Sequence, residues 1–341
     1  MFGARAHKKD AETVRKFLAR WKLTDNKYRI IRSGKFIYFP LRPGAERIMG
    51  KKLMGRVDFV DIKPERQDQR LDYKDMLEKA LGNDYASATR GYDIVGDIAI
   101  IEAKNMRTAR KMAKIVMKLN SNVVTVLAKG GPVSGKYRIR SYKWVAGKRK
   151  YETLYKENGA SFIVDVRKAF FSPRLAYERE RINKLVGKKE NVMVMFAGVG
   201  PFAIEIARRH KDAKVVAIEL NRRAWKYMLR NIELNRVHNV DAQVGDVKKV
   251  VAKYAGSADR IIMPLPKESY AFLDSVVKAA KKRSTVHYYA FGERDSAYED
   301  NVKRLNDFFR GKAKLKVLSK RIVRPYSPRE VEVAIDFALQ K

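Results

Sequence analysis

Cysteine is absent from all 341 residues, which excludes disulfides, thiolate metal sites and a cysteine nucleophile. Histidine is almost as scarce. Four scattered residues do not assemble a His-rich metal centre, so no metal ligands are assigned. No apolar run approaches the roughly 20 residues of a membrane span. The N-terminal stretch MFGARAHKKDAETVRK lacks the hydrophobic core of a signal peptide. The expectation is a soluble, cytoplasmic protein with no membrane partner. Acidic side chains are the remaining shortage: 38 Asp and Glu stand against 75 Lys and Arg, a formal net charge of +37. Hydrophobic residues still make up 45% of the chain, more than disordered sequences carry, so a folded protein of roughly two or three domains follows.

The sign of the charge points to a polyanion, nucleic acid before membrane. Its distribution is segregated. Residues 1–56 carry 16 basic side chains against 4 acidic ones, residues 57–103 carry 11 acidic against 6 basic, and residues 104–150 carry 14 basic side chains. Two basic blocks around an acidic island fit a nucleic-acid face better than a uniformly basic background. Aromatics within the second block, Tyr137, Tyr142 and Trp144, suit stacking on unpaired bases or packing on a strand.

Apolar spacing predicts a helix over Ala11–Trp21 and a hairpin over Tyr28–Pro40, turning at Ser33-Gly34. These form a small basic α/β unit over 1–60. Val57–Arg70 starts strand-like, turns polar and reads as a connector, with the linker placed at 61–72. An α+β middle domain follows over 73–168, its elements being a strand pair in Asp93–Glu102, a Lys/Arg-rich helix at Thr108–Leu119, strands at Val123–Ala128 and Tyr137–Val145 around a Gly130-Gly131-Pro132 break, and a closing strand at Ser161–Val166. From 169 to 341 the pattern changes to strict strand–helix alternation. That is the signature of an α/β, doubly wound and mainly parallel sheet, a Rossmann-like domain with an antiparallel pair at its end.

Chemistry concentrates where those strands end. The loop Ala197-Gly198-Val199-Gly200-Pro201-Phe202, after Phe196, has glycines where a backbone must turn tightly toward a ligand. By itself it does not separate a dinucleotide from S-adenosylmethionine. Glu219-Leu220 ends the next strand, where a carboxylate can accept both hydroxyls of a ribose. Gly245-Asp246-Val247 ends the third, placed for an adenine amino group, and Pro264-Leu265-Pro266-Lys267 ends the fourth. Each acid also suits a helix N-cap. The four features in this order fit a methyltransferase-type fold best.

Several stretches resemble the archaeal–eukaryotic tRNA (guanine-N1)-methyltransferases: FFSPRLAYERERI (170–182), MFAGVGPF (195–202), PLPKESYAFLD (264–274), HYYAFGE (287–293) and RIVRPYSPREVEVAIDF (321–337). SGKYRIRSYKWVAGKRKYETLYKENGASFIVDV (134–166) and YDIVGDIAIIE (92–102) match as well, and a weaker likeness at 17–41 extends it to nearly the whole chain. The resemblance implies a small domain on the tRNA elbow, a middle RNA-binding domain, and a class I methyltransferase domain holding S-adenosylmethionine. It implies action on guanosine 37, immediately 3′ of the anticodon, by a monomer gripping the anticodon stem-loop and the elbow. By motif position it assigns Glu178 as the base for the N1 proton and Arg138 as the stabiliser of charge on O6. Arg174, Arg179, Pro266 and Lys267 would hold the substrate. From the residues alone, a helical salt bridge to Arg174 or Arg181 is the better reading of Glu178; the resemblance reverses that order. The chain departs from the family pattern at Val194, which replaces an acid, at Pro264, which replaces an asparagine and lacks a backbone donor, and at Phe170, which replaces a tyrosine.

Aminocarboxypropyl transfer from the same cofactor, carbon methylation of a wybutosine precursor, and non-catalytic tRNA binding are the competing readings. Retention of Glu178 and of the PLPK stretch favours methyl transfer.

Overall fold

The computed structural model describes residues 1–50, 53, 55–65, 72–87, 89, 91–131 and 135–341. The chain divides into two units, Met1–Met76 and Leu77–Lys341.

The first unit contains β1 (Phe2–His7), α1 (Ala11–Arg20), β2 (Ile31–Ser33), β3 (Phe36–Pro40), α2 (Ala45–Met49) and β4 (Val57–Asp61). Its sheet order is β2-β3-β1-β4. The expected helix and hairpin are present. The stretch expected to open the connector instead supplies β4, which pairs antiparallel with β1. The remainder of that connector, residues 66–71, lies outside the described residues. Strand β1 has no strand signature in its sequence, because Ala and Gly are depleted in strands. It forms through pairing on both sides, with Ala4 and Ala6 buried beneath α1 among Val14, Leu18 and Phe39.

The second unit is entered in α3 (Tyr73–Leu81), which spans the division. It continues with β5 (Tyr92–Val95), β6 (Ile98–Ile101), α4 (Met106–Leu119), β7 (Thr125–Lys129) and β8 (Tyr142–Gly147), sheet order β5-β6-β7-β8. Helix α4 is capped by Asn105, whose side chain accepts from the Thr108 amide at 2.9 Å. The strand expected from Tyr137 begins only at Tyr142, because Gly135–Arg138 is a turn. Pro132 and Ser134 lie outside the described residues.

The hairpin of β9 (Glu152–Glu157) and β10 (Ala160–Asp165) follows. Ser161–Val166, expected to close the middle domain, belongs instead to this hairpin, which lies on α7 (Arg222–Leu234). Asn231 accepts from the Ile163 amide at 2.7 Å and donates to the carbonyls of Ile163 and Val199. Asn235 bonds both backbone groups of Ser161. Buried Phe162 and Val164 complete the contact.

The remaining elements are α5 (Ala176–Leu185), β11 (Asn191–Met195), α6 (Pro201–Arg209), β12 (Lys214–Glu219), β13 (Val240–Val244), α8 (Val247–Val250), β14 (Ala258–Met263), α9 (Leu273–Ala279), β15 (Ala280–Glu293), α10 (Ala297–Phe309), β16 (Lys314–Pro325) and β17 (Glu330–Gln340). They build a seven-stranded sheet of order β13-β12-β11-β14-β15-β17-β16, parallel through β15 with β17 antiparallel between β15 and β16. This is the doubly wound, Rossmann-like α/β sheet expected, and its order reverses beside β11. The apolar runs NVMVM and RIIM fill central strands whose two faces are both buried. Ligands of such sheets bind at the carboxyl ends beside the reversal.

Candidate active site

A cleft of about 1480 Å³ opens at those carboxyl ends, walled on its other side by β5–β8 and the turn after residue 134. The loop after β11 shapes its floor. Phe196 has φ of +59° and Gly198 +60°, and Gly200 at +92° caps α6. A Cβ on Gly198 would meet nothing nearer than 3.7 Å, so the space above the loop is open. On Gly200 it would strike Ile204 and Met228 at 2.9 Å.

Glu219 ends β12. Its Oε2 accepts from the Gly198 amide and its Oε1 from the Asn221 amide, both at 2.7 Å. Burial pushes its carboxyl above the ordinary glutamate range, while the backbone amides that bond it pull the other way. Each oxygen retains acceptor capacity, and the residue lines the cleft. Asp246 caps α8 by accepting from the Lys248 amide at 2.9 Å. The N-cap reading of this acid is therefore correct, and its side chain still lines the cleft.

Of the residues expected at the cofactor, Phe196, Gly198, Glu219, Leu220, Asp246, Val247, Pro264 and Leu265 line the cleft. Ala197, Val199, Gly200, Pro201, Phe202 and Gly245 do not. The side chains of Ala197, Val199 and Phe202 turn into the core, so these residues shape the loop from behind. Val194 is fully buried in the same core, where the acid it replaces would need partners of its own.

Of the substrate candidates, Arg174, Pro266 and Lys267 line the cleft, with Arg174 paired to Asp93 at 2.6 Å. Arg179 does not. It is 2% exposed, donates from Nη2 to Glu157 at 2.7 Å and to the Ser172 carbonyl at 3.1 Å, and its Nε forms ion pairs with Glu157 at 2.6 Å and Glu205 at 3.6 Å. It ties α5 to β9 and α6, and its expected RNA contact is corrected by that burial.

Arg138 lines the cleft in a left-handed turn at φ of +51°. Its guanidinium has no partner among the described residues. Strained backbone of this kind collects at functional sites. Glu178 stands behind the wall, 2% exposed and not among the lining residues. Arg181 holds both of its oxygens, at 2.7 and 3.0 Å, Tyr289 donates to Oε1 at 2.7 Å, and Arg321 lies 3.5 Å from Oε2. The salt bridge to Arg181 that the helical spacing allowed is formed; the one to Arg174 is not.

The residue-by-residue reading did not assign Asn221, Phe291, Tyr326 and Glu332, which also line the cleft. Tyr326 is 60% exposed and packs in a tilted arrangement on Phe291 with ring centroids 4.3 Å apart. The last three lie within matched stretches, which was their only signal. Phe170 is half exposed at the cleft mouth, and Tyr137 and Tyr142 also face it, whereas Trp144 is exposed elsewhere.

Comparison with known proteins accords with this geometry. The TRM5/TYW2 methyltransferase domain matches residues 153–318, the TYW2 N-terminal domain 73–150, and the tRNA methyltransferase 5 N-terminal domain 4–49. The tRNA (guanine(37)-N(1))-methyltransferase Trm5b of Pyrococcus abyssi is 35% identical over 96% of each chain. The chain belongs to the TRM5/TYW2 methyltransferase family. The crystal structure of that Trm5b superposes with a TM-score of 0.75 at 33% identity over the full length of both chains. A solved complex of aTrm5 with tRNALeu gives 0.71 at 29%, also over both full lengths. The aminocarboxypropyltransferase of Methanocaldococcus jannaschii that acts on 4-demethylwyosine(37) of tRNA(Phe) is 30% identical but aligns with only 73% of this chain.

Removing the Arg179 charge would strand the buried Glu157 carboxylate beside the Glu205 carboxyl, which burial already holds high. Arg179→Met is expected to lose about 3–5 kcal/mol of stability, measured by urea denaturation. Unchanged stability would mean that the side chain is free to serve elsewhere.

Proposed function

We propose that this protein transfers a methyl group from S-adenosylmethionine to N1 of guanosine 37 in tRNA. The observation that carries the reading is the full-length correspondence with Trm5b, which includes the first unit, whereas the aminocarboxypropyltransferase aligns with only 73% of this chain. The division of labour follows the domain plan expected from the sequence. The basic first unit contacts the elbow, the middle domain around β5–β8 the anticodon stem-loop, and the Rossmann-like domain performs the chemistry, in a cytoplasmic monomer. Among the described residues no helix is long and apolar enough to cross a membrane.

The donor set in the cleft fits the cofactor. Glu219 has acceptor capacity left for a ribose diol, Asp246 suits an adenine amino group, and the space over Gly198 accommodates a ligand against bare backbone. When bound, its sulfonium supplies the methyl carbon. The protein's own tasks are positioning and charge control. Guanine N1 must lose its proton, and charge then builds on O6. Arg138, with a guanidinium unpaired among the described residues, stabilises that oxygen as a charge-assisted donor. Glu178 takes the proton. Its contact with N1 forms in the substrate complex, since catalytic hydrogen bonds of ligand-free enzymes are often long or absent. Arg321, 29% exposed and 3.5 Å from Oε2, is the weakest of its present contacts and the one that yields.

Mass spectrometry of tRNA nucleosides after incubation with labelled cofactor tests the reaction: N1-methylguanosine is expected, and an aminocarboxypropyl product or none would overturn it. Arg138→Lys is expected to slow transfer about 100- to 1,000-fold, and Glu178→Gln at least 100-fold, with tRNA binding retained. Normal turnover in either variant removes that assignment.

Glu219 adds a pH dependence. Its ionised form accepts the ribose hydroxyls, and burial raises its carboxyl. Cofactor affinity is therefore expected to weaken on acidification at a higher pH than an ordinary glutamate's titration would give. Calorimetric titration across pH checks this. An affinity that stays flat until the ordinary glutamate range is reached would exclude Glu219 from the ribose.

A further inference from the structure

We propose that Asp336 is a positioning residue for Glu178, acting through Arg181. The proposal rests on Glu178 being the proton acceptor.

Asp336 lies on β17 directly opposite His287 of β15. Its Oδ2 meets Arg181 Nη1 at 2.6 Å and its Oδ1 meets Nη2 at 3.2 Å, while the same Nη2 donates to Glu178 at 2.7 Å. One guanidinium thus bridges two carboxylates, both nearly inaccessible. The far side of Asp336 is equally determined. His287 Nδ1 lies 2.6 Å from Oδ1, and His287 Nε2 lies 2.8 Å from Nη1 of Arg260. A guanidinium only donates, so Nε2 accepts, Nδ1 carries the proton and the ring is neutral. Glu190 closes the chain on Arg260 at 2.7 and 3.0 Å. Burial lowers the affinity of His287 for a second proton. Burial would raise the Asp336 carboxyl, but bonds from His287 and Arg181 hold it at about 2. The cluster therefore contains three carboxylates, three guanidiniums (Arg181, Arg260 and Arg321) and one neutral imidazole.

Buried ion clusters do not stabilise a fold more than apolar packing of equal volume would. What this one provides is a single orientation for Glu178, with Arg181 and Tyr289 on Oε1 and Arg181 and Arg321 on Oε2. It also shares the charge of Arg181 between two acids. Without the Asp336 charge, Arg181 would bear on Glu178 alone and make it a weaker base.

The test is single-turnover methyl transfer by full-length protein on a tRNA transcript with guanosine at position 37, across pH, with cofactor and tRNA dissociation constants measured alongside. For Asp336→Asn, both constants are expected to stay within about twofold. The plateau rate is expected to fall about 100-fold, as for a misplaced catalytic group, and the rising limb of the pH profile to move to lower pH. An unchanged rate and limb would overturn the proposal. So would a fall in binding that matches the fall in rate with the limb unmoved, because that pattern marks a merely structural role. Should the variant not fold, Arg181→Lys carries the same test, since lysine cannot bridge both acids; an unchanged rate there overturns it too. Glu178→Gln separates the two levels. Normal turnover in Glu178→Gln defeats the base assignment and this proposal together, whereas an inactive Glu178→Gln beside an unaltered Asp336→Asn defeats this proposal alone.

Discussion

The two bonds from backbone amides to the Glu219 carboxylate organise this molecule. They join the loop after β11 to the start of α7, the two places where neighbouring parallel strands end. Without them the glycine loop would carry an unpaired amide at Gly198 in a half-buried position. The same carboxylate lines the cleft with acceptor capacity to spare, and under the proposed function the group that fixes the loop also reads what the loop holds. Asn221 extends the clamp by donating to the Lys168 carbonyl, and Asn231 ties the Val199 carbonyl to the β10 backbone. The cofactor floor is therefore anchored to the segment leading toward Arg174 and Arg138.

Charge is handled in two ways. At the surface it is abundant and solvated, where single ion pairs contribute little. Inside, two groups gather around α5: Arg179 with Glu157 and Glu205, and the chain from Glu178 to Glu190. The first group holds one cation between two acids, and burial lifts the Glu205 carboxyl to about 8. Adjacent helical residues thus take different tasks. Arg179 locks the helix to β9 and α6, while Glu178 faces Tyr289 of β15 and Arg321 of β16.

Legibility followed the range of the forces involved. The alternation of βα units from 169 onward could be read directly, because apolar period and turn chemistry are local. The ends of β11 to β14 were legible too, since topology brings all parallel carboxyl ends to one edge. The hairpin β9–β10 was misjudged because its partner, α7, lies some 70 residues away. Strand β1 was missed because its alanines become strand-like only between β3 and β4. Arg179 was misplaced for a related reason: a helical arginine looks solvated until two distant glutamates are folded against it.

By itself, the sequence carried the fold class and the two basic blocks, which depend on periodicity and composition, and the family through the resemblance of several stretches. Only the tertiary structure decided which side of each motif faces the cleft. It turned Ala197, Val199 and Phe202 to the core, left Arg138 in the cleft without a partner among the described residues, and set Glu178 behind the wall among guanidiniums. That difference is physical: side-chain partners several strands apart in the chain are brought together by sheet register, and no local pattern encodes the register.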